Sequence, residues 1–447
     1  MYTLSSKLKL TAIIFMIVGA IGLIYAFIAA PSTIEEVKEM MADDASHGSS
    51  EMEIVDQDVQ IADPDHAEAE HILVDDHDNE HYEHLLHQLQ NKPWAALYIA
   101  AFFFFMIALG TLVFYALQYA AQAGWSPVLF RVMEGITAYL LPGSIIIFII
   151  LLLSGLHLNH LFIWMDPEIV AHDEIIQAKS GYLNVTFFLI RALIYLVGWN
   201  LFRYLLRRNS LRIDEDSTNN RWFKQNFKLS AGFLVFFMVT ESMMSWDWIM
   251  SLDPHWFSTL FGWYVLSSMI VSAITVIALV SIYLKSRGYL EYVNDSHIHD
   301  LAKFMFGFSI FWTYLWFSQY MLIWYSNIPE EVTYFVTRIE DYGLPFFGMV
   351  VMNFVFPILL LMNSDYKRVN LFVIMAGIIV LLGHYLDIFV MVMPATVGES
   401  WFIGIPEISA MLLFGGLFVF VVFNALTKVP LLQKGNPFIK ESKHFHY

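Results

Sequence analysis

Arg191, Glu241, Asp247, His384 and Asp387 lie inside or at the edge of stretches that otherwise read as membrane hydrocarbon. An ionisable side chain at the centre of a bilayer costs about 2.5 kcal/mol or more, so groups of this kind are paired or functional. Carboxylates and imidazoles take up and release protons, and proton handling is the chemistry this set offers. At a rise of about 1.5 Å per residue, Arg191, Glu241 and His384 all fall about 12–14 Å below one membrane boundary. Asp387 stands one turn nearer that boundary, and its i,i+3 spacing puts it on the same face as His384. Two readings stay open: a static ion pair between Arg191 and Glu241, or a protonation relay with Glu241 and the His384/Asp387 pair as stations. Burial and a neighbouring guanidinium push a carboxyl group in opposite directions, and their balance separates the two.

Those residues must be carried by membrane helices. The chain has 447 residues, 58% hydrophobic and 17% aromatic but only 15% charged, and its mean hydropathy is +0.57. That composition excludes a soluble globular domain. At about 20 apolar residues per spanning helix, ten spans are expected, near 8–30, 93–120, 136–157, 183–206, 227–250, 260–284, 302–325, 343–362, 369–393 and 405–427. Lipid offers backbone groups no partner, so the class is all-α integral membrane. If residue 1 starts in the cytoplasm, 19 of the 24 Lys and Arg fall on that side, including the group Arg203, Arg207, Arg208, Arg212, Arg221, Lys224 and Lys228. The positive-inside rule then puts both termini in the cytoplasm. The first span follows Lys7 and Lys9, but its apolar run is about twice that of a signal peptide and reads as a retained anchor. The chain has no cysteine, which excludes disulfides, Cys-ligated iron–sulfur clusters and covalent c-type haem on it.

Residues 31–92 form an acidic segment with 18 Asp and Glu against two Lys, interspersed with His47, His66, His71, His77, His81, His84 and His87. Its composition predicts an external loop with little core of its own, a solvated surface for partner subunits. Helical spacing of His77/His81 and of His81/His84/His87 permits metal binding, and the acidity suits steering of a basic carrier. Pro142-Gly143, Pro357, Gly377 and Gly383 interrupt spans at points that small-residue packing or a bound water or ring would accommodate. The run Phe102–Phe105 is expected to contact lipid, and His157 is the one plausible mate for His384 in a b-type haem site. No phosphate-binding, dinucleotide or H-E-x-x-H motif occurs, and there is no basic face for nucleic acid.

Between the fifth and sixth spans runs Trp246-Asp-Trp-Ile-Met-Ser-Leu-Asp-Pro-His-Trp-Phe-Ser-Thr-Leu-Phe-Gly-Trp-Tyr264. Asp253-Pro254 ends a helix and begins a tight turn. Trp246, Trp248, Trp256 and Trp263 are expected to cluster at the interface, with Asp247, Asp253 and His255 as titratable groups at the external mouth: a proton exit or a docking surface. This stretch closely resembles a signature of the ActF-type membrane subunit of bacterial alternative complex III, a quinol:cytochrome c oxidoreductase, related to the NrfD-like polysulfide reductase membrane subunits. The sister subunit of that complex carries Pro-Gly-Trp-His in place of Asp253-Pro254-His255-Trp256.

The resemblance spans essentially all ten helices and implies two four-helix bundles, spans 2–5 and 6–9, with spans 1 and 10 peripheral. The chain then divides into an anchor helix (1–30), the acidic loop (31–92), a first bundle (93–250), a second bundle with the connecting motif (251–393), and a last helix with a cytoplasmic tail (394–447). It implies a bacterial inner-membrane assembly with an NrfD-like sister subunit, a multihaem cytochrome c, an iron–sulfur subunit and, in some assemblies, a terminal cytochrome oxidase. Haem c and iron–sulfur clusters would belong to those partners; the resemblance puts the better-supported quinol site in the sister subunit and leaves quinone or lipid as candidate ligands of this chain. The proton path implied for this subunit falls on Glu241, Asp247, Asp253, His255, His384 and Asp387, with Arg191 as charge partner. Catalysis would belong to the assembly. Three alternatives stay open: a second quinone site in this chain, an independent secondary transporter, and a purely structural scaffold.

Overall fold

The computed structural model describes residues 1–47, 67–215 and 220–446. They form helices and connecting turns with no strand among them. Nine helices among the described residues are long and apolar enough to cross a membrane, as a multi-pass membrane protein requires. The long helices are α1 (Ser6–Ile28), α2 (Ala67–Ala120), α3 (Leu140–Gly155), α4 (Val185–Glu215), α5 (Arg221–Trp248), α6 (Phe261–Ser286) and α7 (Asp295–Ser326). They continue with α8 (Pro329–Glu340), α9 (Gly343–Val350), α10 (Phe356–Leu361), α11 (Asn370–Val397) and α12 (Ile405–Leu426). The expected seventh span, α7, runs 32 residues but falls outside the nine, because Trp312, Tyr314, Trp316, Gln319 and Tyr320 dilute its aliphatic content.

Helices α2 and α6 occupy the centre. They pack on each other, and α2 also meets α5, α11 and α12. Buried Ser267, Ser268, Ser272, Ala273, Thr275 and Ala278 let α6 approach its neighbours closely. Enclosure of α2 corrects the expectation for the phenylalanine run: Phe102, Phe103 and Phe105 are buried in protein rather than facing lipid. At 54 residues α2 is about 80 Å long, far more than the ~30 Å hydrocarbon core. Residues 67–92 of the acidic segment are therefore helix continuous with the second span, and no helix break marks the boundary expected at residue 93. Another helix, Ile34–His47, opens the segment. The side chains of His47, His66, His71, His77, His81 and His84 lie outside what is described.

Helix α1 packs chiefly along α12. Glycines on both helices make the contact possible: a Cβ on Gly416 of α12 would sit 2.7 Å from Ala12 O, and one on Gly22 of α1 would sit 2.9 Å from Ser409 Cβ. Pro357 is accommodated by a π-helical turn, Val351–Val355, directly before α10. A proline ring clashes with the carbonyl four residues back, and a wider turn relieves the clash.

The C-terminal segment folds back onto the ends of the helices. Ser442 Oγ donates to Trp125 O at 2.6 Å, and Asn294 Nδ2 donates to Phe445 O at 2.6 Å. His297, fully buried in the first turn of α7, accepts at Nδ1 from the Asn294 N–H at 3.2 Å and holds Nε2 3.1 Å from Ser442 O. Burial pushes its pKa down to about 4.

Two outcomes follow from this packing. Gly416→Leu drives α1 off α12 and lowers the unfolding temperature in detergent by several degrees, whereas Gly307→Ala, at a helical glycine with open space around it, leaves it unchanged. A depressed histidine pKa leaves the unfolded chain binding the extra proton between pH 6.5 and about 4, so stability is full above that window and falls within it, by about 3 kcal/mol at most. Amide exchange of residues 435–445, corrected for intrinsic rate, rises as pH falls below 6; His297→Gln removes that dependence.

Candidate functional site

Two clusters of buried polar side chains occupy the helix interior, one between α4 and α5 and one among α6, α7 and α11. In the first, Arg191 grips Asp247 with two parallel bonds, Nε to Oδ2 at 2.8 Å and Nη2 to Oδ1 at 2.9 Å. Tyr195 OH donates to Asp247 Oδ2 at 3.1 Å, and Arg191 Nη1 donates to Tyr182 O at 3.0 Å. The guanidinium carbon lies 3.9 Å from the Tyr182 ring centre and 4.2 Å from that of Phe187. Asp247 is wholly buried.

This geometry corrects two expectations. The partner of Arg191 is Asp247, not Glu241, and Asp247 is a buried counter-ion rather than a group at the mouth. The reason is directional. Helical side chains lean toward their helix N-terminus, so Arg191 reaches back toward Tyr182 and meets the last turn of antiparallel α5. Glu241 sits six residues earlier, about 9 Å away along the axis. It is 1% exposed, and its Oε1 has no hydrogen-bond partner among the described residues.

In the second cluster, Asp387 is fully buried and accepts from Tyr264 OH at Oδ1 and from Trp312 Nε1 at Oδ2, the latter at 2.9 Å. His384 Nδ1 lies 3.5 Å from Asp387 Oδ2 and 2.9 Å from Ser268 Oγ. Its ring meets Trp312 edge-on at 5.4 Å, and Nε2 has no partner among the described residues. The π-turn before Pro357 brings Asn353 Nδ2 to 3.5 Å from His384 Nδ1. Gly383 makes room for that approach, since a Cβ there would collide with Asn353 Oδ1. The i,i+3 pairing of His384 and Asp387 stands as expected. His157, in a left-handed turn at φ 57°, is exposed, whereas His384 is wholly buried.

The connecting motif does different work from its inner neighbours. The four tryptophans separate: Trp248 is buried against Phe105 and Trp199 at 6.1 Å, Trp256 stacks on Tyr334 at 3.8 Å, and Trp263 is 47% exposed. Asp253 closes the 3-10 turn Met250–Leu252. His255 Nε2 lies 2.6 Å from Asp173 Oδ2 at the surface, and Lys179 Nζ donates to Pro254 O. The backbone N–H of Ile176, with His255 second, holds the Asp173 carboxyl below its usual range. Asp253 and His255 thus belong to a surface turn, apart from the buried groups. Nearby, His87 and His160 meet edge-on at 5.4 Å, and no group of three metal-ligating side chains occurs among the described residues.

A third buried network escaped sequence reasoning. Arg131 Nη1 bonds Glu134 Oε2 at 2.7 Å and its Nη2 bonds Asp214 at 2.5 Å, while Arg207 also reaches Glu134. Tyr115 OH donates to Glu134 Oε1 at 2.8 Å, and Gln433 from the C-terminal segment donates to Ser210 Oγ at 3.0 Å. The signal was present as Arg131 and Glu134, an i,i+3 pair at the edge of an apolar run.

Arg191→Gln leaves the buried Asp247 carboxylate uncompensated and costs about 3–5 kcal/mol. The double variant Arg191→Met with Asp247→Leu recovers most of that loss; thermal unfolding in detergent, followed by tryptophan fluorescence, checks both. Compared with known proteins, the chain matches no family model and no curated protein, so the side chains themselves carry the functional argument.

Proposed function

We propose that this chain is the ActF-type membrane subunit of a respiratory quinol:electron-acceptor oxidoreductase, alternative complex III, and that its buried carboxyl and imidazole groups conduct protons for the assembly. The observation that carries the proton reading is the Asp387 cluster: a fully buried carboxyl bonded to Tyr264 and Trp312, beside His384, with no Lys or Arg ion-paired to it among the described residues. A group whose charge is balanced by a fixed Arg has no use for a proton, and Asp247 is such a group. Asp387 and Glu241 are not. At Asp387 the two neutral donors support the carboxylate, and the adjacent imidazole offers a second position for the proton.

The assignment to this assembly rests on the motif Trp246–Tyr264 and on the absence of cysteine, which leaves c-type haem and Cys-bound clusters to companion chains. Counting α7, ten spans would form two four-helix bundles, with α1 and α12 at the periphery. The sparse burial of α1 suits that arrangement. The excess of Lys and Arg on one set of loops supports cytoplasmic termini in a bacterial inner membrane. In this topology the Arg191–Asp247 pair and the Asp387 cluster lie in the external half, and the Glu134 network lies toward the cytoplasm.

Purification through a tag on this chain in mild detergent is expected to bring down multihaem and iron–sulfur subunits, read by haem staining and peptide identification; a colourless lone chain contradicts the assignment. In membranes carrying the complex, Asp387→Asn and Glu241→Gln lower the proton-to-electron ratio while Asp253→Asn leaves it unchanged. An unaltered ratio in all three would make the chain a scaffold.

A further inference from the structure

A groove of about 250 Å³ opens where α1 ends, α12 begins and α2 passes into its apolar run. Ala26 and Ala29 of α1, Leu89 and Pro93 of α2 and Ile405 of α12 line it, joined by Met40 of the helix Ile34–His47. Among the described residues its one charged lining group is Lys92. The walls are held in place. Gln90 Nε2 donates to Pro31 O at 3.1 Å and Phe27 meets Trp94 edge-on at 4.9 Å, two contacts that fasten the end of α1 to α2 beside the groove. Val37 anchors the overlying helix, being wholly buried, while Met40 stays 48% exposed. Apolar runs begin or end within a few residues of Ala29, Pro93 and Ile405, which puts the groove at a membrane boundary, with Tyr25 and Trp94 at the depth that interfacial aromatics occupy.

An apolar hollow of this size beside hydrocarbon neither holds water favourably nor stays empty, because the atoms lining a void lose their dispersion partners. A helix, about 10–12 Å across, is too wide to fill it, whereas an acyl chain is not. A helical side chain leans toward its helix N-terminus, so Lys92 directs its ammonium out of the apolar run, to the level of the headgroups. A phosphate there lies outside the hollow and needs no room within it. Glu407 is a carboxylate whose charge reaches Lys92, but it is 2% exposed and accepts at Oε2 from the Gly404 N–H at 2.7 Å. No ion pair joins Glu407 to Lys92 among the described residues, so it offsets the charge without taking up the ammonium N–H groups. We propose that this groove binds one glycerophospholipid, an acyl chain lying against Ala26 and Ala29 and the phosphate on Lys92.

The test uses the full chain with its accompanying subunits, delipidated in mild detergent and titrated with phosphatidylglycerol or with diacylglycerol of the same chains, binding being followed by native mass spectrometry. Ala29→Phe, which fills the groove from an exposed position, is expected to weaken phosphatidylglycerol binding roughly tenfold. Ile14→Phe, on the lipid-facing side of α1, leaves it unchanged, which separates a held lipid from the surrounding bilayer. Lys92→Gln weakens binding about fivefold, Lys92→Arg restores it, and diacylglycerol binds the wild type about fivefold more weakly than phosphatidylglycerol. Equal binding by wild type and Ala29→Phe overturns the proposal, as does equal binding by wild type and Lys92→Gln. So does retention of a quinone there in place of a phospholipid, or crosslinking of a photoreactive group at residue 29 to a companion polypeptide instead of to lipid.

Discussion

A charge inside a low-dielectric slab must be compensated within a few ångströms, and the interior of this protein is organised around that demand. Arg191 and Asp247 meet it with a bidentate ion pair, two rings against the guanidinium and a tyrosine hydroxyl on the carboxylate. The pair ties α4 to the end of α5, just where the chain turns into the connecting motif. With α5 anchored there, Trp248 packs under α2, and Tyr98 OH donates to its carbonyl at 2.8 Å. The central helix is thereby locked to both.

The second cluster answers the same demand by other means. Around Asp387 the donors are neutral, a phenol and an indole, so the carboxyl is held in place without a permanent countercharge. Fixed charge on one side and unfixed charge on the other give the two clusters different chemistry from similar parts. The contrast sets Asp387, whose hydrogen-bond donors are neutral, apart from Asp247, whose carboxylate is gripped by a guanidinium.

Helix interruptions serve the same arrangement. Pro357 imposes a π-turn, the π-turn presents Asn353, and Gly383 admits it to His384. Two residues that look like defects in separate spans, Pro357 and Gly383, thus shape the surroundings of one imidazole. At the surface, the Asp253-Pro254-His255-Trp256 turn is pinned by Lys179 and Asp173 and holds Tyr334 in place through Trp256.

The amino-acid sequence by itself determined the helical membrane class, the approximate spans and the pairing of His384 with Asp387, because hydropathy and i,i+3 spacing act within one segment. It also exposed Arg191, Glu241 and Asp247 as anomalies in apolar runs. Which of them pair was decided only in three dimensions, since depth counted along an axis ignores the lean of a side chain toward its helix N-terminus, and that lean carried Arg191 to Asp247. Tertiary packing alone enclosed Phe102, Phe103 and Phe105, extended the second span into a 54-residue helix and dispersed the tryptophans of the motif. The partners Tyr264, Trp312 and Ser268, and the network of Arg131, Glu134, Asp214 and Arg207, join residues far apart in the chain. Contacts of that kind depend on how whole helices pack, and no local pattern of residues encodes them.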